Sequence, residues 1–70
     1  MMLTKGMTAE QMDAMIAAME WEVLESDEYE NEFDGSLSRE LVIWQEDHAV
    51  AVYLSHEVIS ELQYVPAWML

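Results

Sequence analysis

Residues 41–54 read LVIWQEDHAVAVYL. Leu41, Val42, Ile43 and Trp44 are β-branched or bulky and apolar at every position, the pattern of a strand covered on both faces. Gln45, Glu46, Asp47 and His48 make a polar break of hairpin length. Ala49 to Leu54 is a second apolar run. Two such runs across a short polar break predict an antiparallel hairpin, and it anchors the expected sheet.

Toward the N-terminus, Asp34-Gly35-Ser36 is a turn signal, so an extended partner should precede it. The stretch from Glu20 to Asp34 has no Gly or Pro to punctuate it. Trp21, Val23, Tyr29 and Phe33 fall on one side of a period-two pattern, opposite Glu22, Glu28, Glu30, Glu32 and Asp34. Val23 also continues a helical stripe from further upstream. The preferred reading ends the helix between Glu20 and Glu25 and runs extended chain to Phe33. Residues 8–19 read as the helix itself. Thr8 and Gln11 form a capping-box pair, and Glu10 and Asp13 favour the positive end of the helix dipole. Met12, Met15, Ile16 and Met19 recur as one apolar stripe.

Toward the C-terminus, Ser55 is positioned to cap a short second helix in which Val58, Ile59 and Leu62 share a face. Tyr64 to Leu70 is an apolar tail containing Pro66 and Trp68, either docked on the sheet or part of an interface. The expected architecture is α+β, a single domain over 1–70. It comprises an N-terminal helix, an acidic extended segment, a small three-stranded antiparallel meander and the short second helix.

Charge sets the limits on function. The 70 residues carry 15 Asp+Glu against 2 Lys+Arg, a net charge of −13. No basic patch exists to neutralise phosphates, which excludes direct nucleic-acid binding and disfavours anionic membrane surfaces. Disorder is the ordinary fate of so acidic a chain, but Leu, Ile, Val and Phe make up 17 of its residues and fall in ordered patterns. With no cysteine, disulfides and thiolate metal sites are impossible. The opening MMLTKGM has no signal-peptide apolar region and no run approaches bilayer-spanning length, so the expected location is the cytoplasm.

The acid is concentrated. Eight of the fifteen residues from Glu20 to Asp34 are Asp or Glu. A charge run is usually a solvated face. This one lies mid-chain and is interleaved with Trp21, Val23, Leu24, Tyr29 and Phe33. Like charges at this density oppose compaction, so a small domain is expected to keep them for the field they create. Alternate side chains on a strand lie about 6.6 Å apart, close to the through-space spacing of phosphates along a nucleic-acid strand. A carboxylate row of this kind imitates a phosphate backbone. Its natural partner is a basic DNA-binding protein, approached with electrostatic steering.

Around Trp21-Glu22-Val23-Leu24-Glu25-Ser26-Asp27-Glu28 the chain resembles the phage and staphylococcal uracil-DNA glycosylase inhibitors. Members of that family are small acidic α+β proteins. An N-terminal helix precedes an edge strand whose Glu-Ser motif enters the enzyme's DNA groove. An apolar pocket between helix and sheet takes the leucine that the enzyme otherwise pushes into the duplex. Glu25-Ser26 matches the motif, and Asp27 stands where the family carries an aliphatic residue. The resemblance implies a phage-type inhibitor acting in a bacterial host cell, with uracil-DNA glycosylase as target and no cofactor. The candidate partner-binding edge is Glu25, Ser26, Asp27, Glu28, Glu30 and Glu32. The candidate apolar pocket is Met12, Met15 and Met19 against Val50 and Val52, since methionine suits an adaptable pocket. Ordinary core packing is the other reading of the same stripe.

Other chemistries find less support. His48 and His56 are the only histidines, each beside a carboxylate, and neither has a nucleophile and oxyanion stabiliser arranged around it. No catalytic residue is expected. Glu30-Asn31-Glu32-Phe33-Asp34-Gly35 starts like a calcium loop, but Leu41 occupies the twelfth position, where the loop needs Glu; no metal is expected. Two further functions fit the composition. One is an acidic adaptor or antitoxin-like module for another basic protein. The other is a small oligomer-forming domain with Trp68, Met69 and Leu70 at the interface.

Overall fold

The computed structural model describes residues 2–69. Helix α1 (Ala9–Met19) is followed by four strands, β1 (Glu22–Glu30), β2 (Leu37–Gln45), β3 (His48–Ser55) and β4 (Val58–Val65), and by a 3-10 turn at Ala67–Met69. The strands form one antiparallel sheet in the order β1-β2-β3-β4. The molecule is thus a small α+β fold, with α1 laid on one face of a meander.

Helix α1 starts as its sequence dictates. The Thr8 hydroxyl accepts from the Gln11 amide at 3.1 Å, and the Gln11 side-chain oxygen accepts from the Thr8 amide at 3.0 Å. Two of the helix's orphan donors are thereby satisfied. It stops when Glu20 turns left-handed at φ 56°. The amides of Glu20 and Trp21 then donate back to the carbonyls of Ala17 and Ile16, a Schellman-type closure. Trp21 swings back onto the core, and β1 begins at Glu22.

The core lies between helix and sheet. Leu3, Met12, Leu41, Ile43, Val52, Leu54 and Ile59 form its buried cluster, with Met7, Ala9, Met15, Ile16, Trp21, Val50 and Leu62 packed around it. The expected central hairpin is present as β2–β3, and its register sets Leu41 opposite Val52 and Ile43 opposite Val50. The sheet's other face carries no helix of the size of α1; the 3-10 turn borders it, Met69 sharing a shallow depression with Leu24, Glu25, Val42 and Val65. Ala49 and Ala51 are nevertheless buried there.

Two expectations need correction. The sheet has four strands rather than three: residues 22–30 form the first, and the additional one is β4. The short helix from Ser55 is absent; that stretch is the β3–β4 hairpin. His56 and Glu57 both have positive φ, 54° and 63°, the signature of a two-residue turn whose twist suits a hairpin. A register shift then mimics helical spacing. Leu54 pairs with Ile59 and Val52 with Leu62, so the bulge between them puts residues three apart on the same face. That spacing is also the helical one.

The two sheet edges differ. Residues 6–9 run along the start of β4: the Gly6 amide donates to the Ile59 carbonyl, Ile59 to Met7 and Ala9 to Glu57. β1 pairs with β2 alone.

Candidate functional site

All nine residues of β1 are exposed, on both faces of the strand. The register shows how its carboxylates divide. Val23 lies opposite Ile43 and Ser26 opposite Leu41, both on the helix side. The pairing slips at Leu24, a bulge that reverses the face assignment of everything after it. Glu22, Glu25, Asp27 and Tyr29 therefore share the open face, while Ser26, Glu28 and Glu30 share the helix side. The unbroken alternation expected over this stretch does not hold: Val23 and Tyr29 fall on opposite faces. The result is a blade with carboxylates on both sides.

Neighbouring strands extend the open-face acid. Asp27 pairs with Glu40, Glu40 with Tyr53 and Tyr53 with Glu61, a row running across all four strands. Like charges directly opposite each other destabilise a sheet, and Asp27–Glu40 is such a pair. On the helix side, Arg39 lies opposite Glu28 and reaches past it to Asp13, at 3.3 Å. Among the described residues this is the only Lys or Arg ion pair.

The β1–β2 connection closes the blade. The Asn31 amide donates to the Ser36 carbonyl at 2.8 Å and the Gly35 amide to the Asn31 carbonyl at 2.9 Å. The Asn31 side chain accepts from the Phe33 amide at 2.8 Å. One Asp34 oxygen accepts from the Ser36 amide at 2.9 Å and its hydroxyl at 2.6 Å. The Ser36 hydroxyl, seconded by its amide, holds the Asp34 carboxyl below the ordinary aspartate range. Gly35 takes the left-handed φ of 74° that this turn requires. Asn31 and Asp34 spend side-chain oxygens on their own backbone, the reverse of a calcium loop. No group of three or more potential metal-ligating side chains occurs among the described residues.

The candidate edge residues Glu25, Ser26, Asp27, Glu28 and Glu30 all lie on β1, and Glu32 lies in the loop beyond it. The Met stripe is placed differently. Met12 and Val52 are completely buried, and Met15 and Val50 pack against the same core. Met19 stands apart, bordering a shallow depression with Met2, Trp21 and His48. The most enclosed cleft between helix and sheet has other walls: Ala9, Glu28, Leu37, Ser38, Arg39, Leu54 and Glu57. At about 80 Å³ it is far smaller than the ~300 Å³ of an ordinary ligand pocket.

His48 opens β3 and His56 follows its last residue, so at ~3.3 Å per residue the strand separates them by far more than contact distance. The His48 ring lies 2.8 Å from Asp47 and holds that carboxyl below its ordinary value. Trp68 and Met69 are exposed, and Leu70 lies outside the described residues. No described helix is long and apolar enough to cross a membrane. Sequence reasoning passed over Glu40, Tyr53 and Glu61, whose membership of one row depends on strand register. It also gave Phe33, at 99% exposure, no separate role.

The chain matches no protein-family model, no curated protein and no solved structure. The functional reading therefore rests on its own residues.

Proposed function

We propose that this protein is a DNA-mimic inhibitor that inserts its β1 edge into the DNA-binding cleft of a basic partner, with uracil-DNA glycosylase as the target to test first. One observation carries the reading: β1 exposes all nine residues and bears carboxylates on both faces at an edge no other strand covers. A solvating surface needs acid on one side of a strand only. A cleft that grips a charged polymer has cationic walls on both sides, and a two-sided acidic blade complements them. Ser26, between the carboxylates, offers a donor and an acceptor as sugar–phosphate contacts do.

No chemistry is required. Steering by the net charge accelerates encounter, and exclusion of DNA from the cleft is the inhibition. The acid also selects against alternatives. Two β1 edges pairing with each other would set like charges face to face, and anionic lipid or nucleic acid would be repelled.

The test is titration of the full chain into a uracil-excision assay with varied duplex substrate. Competitive inhibition is expected, weakening as salt rises. A triple variant, Glu25→Gln, Asp27→Asn and Glu28→Gln, should inhibit at least tenfold less well. Inhibition unchanged in that variant would rule out the acidic edge. Absence of inhibition at micromolar concentration would rule out this target, and failure to compete with DNA on any basic partner would rule out mimicry.

A further inference from the structure

The β1–β2 tip holds an aromatic ring out into solvent on an ordered loop. Phe33 is 99% exposed, although phenylalanine is among the residues most often buried. Its position is set by backbone and side-chain hydrogen bonds on both sides, from Asn31 and Asp34, and by the turn at Gly35. A lone exposed apolar side chain is unremarkable by itself. What sets this one apart is its company. Glu32 and Asp34 flank it in sequence, and the Glu30 carboxylate lies against Gly35.

That company decides what can cover the ring. An anionic membrane surface and a second copy of the same tip both meet it with like charge. The complementary surface is a cationic rim around a slot that accepts a flat apolar ring. Proteins that handle unstacked nucleic acid have this arrangement, because each base they bind is an aromatic plane between two phosphates. Glu32-Phe33-Asp34 repeats that order of anion, ring and anion.

We propose that Phe33 occupies a partner's slot for an unstacked nucleobase, with Glu32 and Asp34 in place of the flanking phosphates. The inference rests on the reading that β1 enters a nucleic-acid cleft, and adds where the tip of the blade ends.

The probes are uracil-DNA glycosylase, which flips a base into a pocket, and an OB-fold single-stranded-DNA-binding protein, which stacks bases on aromatic platforms. Displacement of a labelled single-stranded oligonucleotide is measured for the full chain, for Phe33→Ala, for Phe33→Trp and for the triple β1 charge variant. Burying one phenylalanine side chain corresponds to roughly a 10- to 100-fold change in affinity. Phe33→Ala should lose that factor and Phe33→Trp should retain binding. Free uracil, which fills the glycosylase pocket without phosphates, should weaken binding of the unaltered chain and leave Phe33→Ala unaffected. If Phe33→Ala displaces the oligonucleotide within twofold of the unaltered chain while the charge variant fails, the ring has no such role and the β1 reading stands. If the unaltered chain displaces it from neither protein, the base-slot role of Phe33 falls, and the β1 reading is decided separately by the duplex competition.

Discussion

Removing one carboxylate from the Asp27–Glu40 pair should make the protein more stable. The two residues are directly opposite across β1 and β2, on the open face. Such positions hold their Cβ atoms about 4.5–5.5 Å apart, which places the carboxylates roughly 6 Å apart. Coulomb's law at that distance in water gives about 0.7 kcal/mol of repulsion. Screening at about 0.15 M salt reduces it to about 0.3 kcal/mol. Asp27→Asn and Glu40→Gln should each gain about this much, and the double variant should gain little more than either alone, since one neutral partner already ends the repulsion. Urea unfolding followed by circular dichroism measures it, in buffer near 20 mM salt and again near 1 M. The gain should be largest at low salt and vanish at about 1 M, where the Debye length is ~3 Å. For a domain of this size, expected to hold about 4–10 kcal/mol in total, the shift is small but resolvable as a change in midpoint. Destabilised single variants, additive gains, or a gain undiminished at high salt would each show that these carboxylates do not oppose one another, and the face assignment beyond the Leu24 bulge would be wrong.

Three other perturbations separate features of the fold. Met12→Ala should cost about 2–5 kcal/mol because Met12 is fully buried, while Met19→Ala at the rim should cost under about 1 kcal/mol; equal losses in urea unfolding would contradict a core centred on Met12. Glu57→Gly should stabilise by about 1 kcal/mol by relieving a positive φ, whereas a helix at this position would lose about as much, so the sign of the shift in thermal midpoint tells hairpin from helix. Asp34 has a folded-state pKa below the ordinary aspartate value because the Ser36 hydroxyl and amide donate to it. Its contribution to stability is therefore present above that value and lost as pH falls through the folded pKa. Ser36→Ala removes the hydroxyl donor and should raise the Asp34 midpoint in a carboxyl NMR titration, leaving it short of the ordinary value because the amide still donates.

Where local chemistry decides the structure, the sequence was enough. Thr8 and Gln11 built the cap they encode, and the 41–54 hairpin follows from two apolar runs across a polar break. The two errors of periodicity have one cause. A β-bulge adds a residue to one strand, so a face that should recur every second position recurs after three. At Ile59 and Leu62 that spacing reads as helix, and at Leu24 it divides what reads as one acidic face into two. Nothing in the residues at Leu24 or Ser60 announces a bulge, because it arises from the pairing partner. The open-face acid row was illegible for a related reason: Glu40 and Glu61 are distant in sequence from Asp27, and only register brings them together.

The Leu24 bulge also separates the part of β1 beside the core from its acidic part. Ahead of it, Val23 faces Ile43 at the margin of the core. Beyond it, no apolar side chain of β1 faces the helix, and the buried cluster draws only on the N-terminal segment, α1, β2, β3 and β4. β1 is held to the sheet by its backbone ladder to β2, which side-chain substitution leaves in place. Its carboxylates can then repel one another without disrupting the packed layer, and the strand can carry a charge density that a core strand would not tolerate. An exposed edge of this kind ordinarily invites self-association. Here the same charges oppose it, because two β1 edges brought together would set carboxylate against carboxylate. Added salt should relax this barrier to edge-to-edge pairing, and on the proposed reading it should weaken affinity for a basic cleft over the same range.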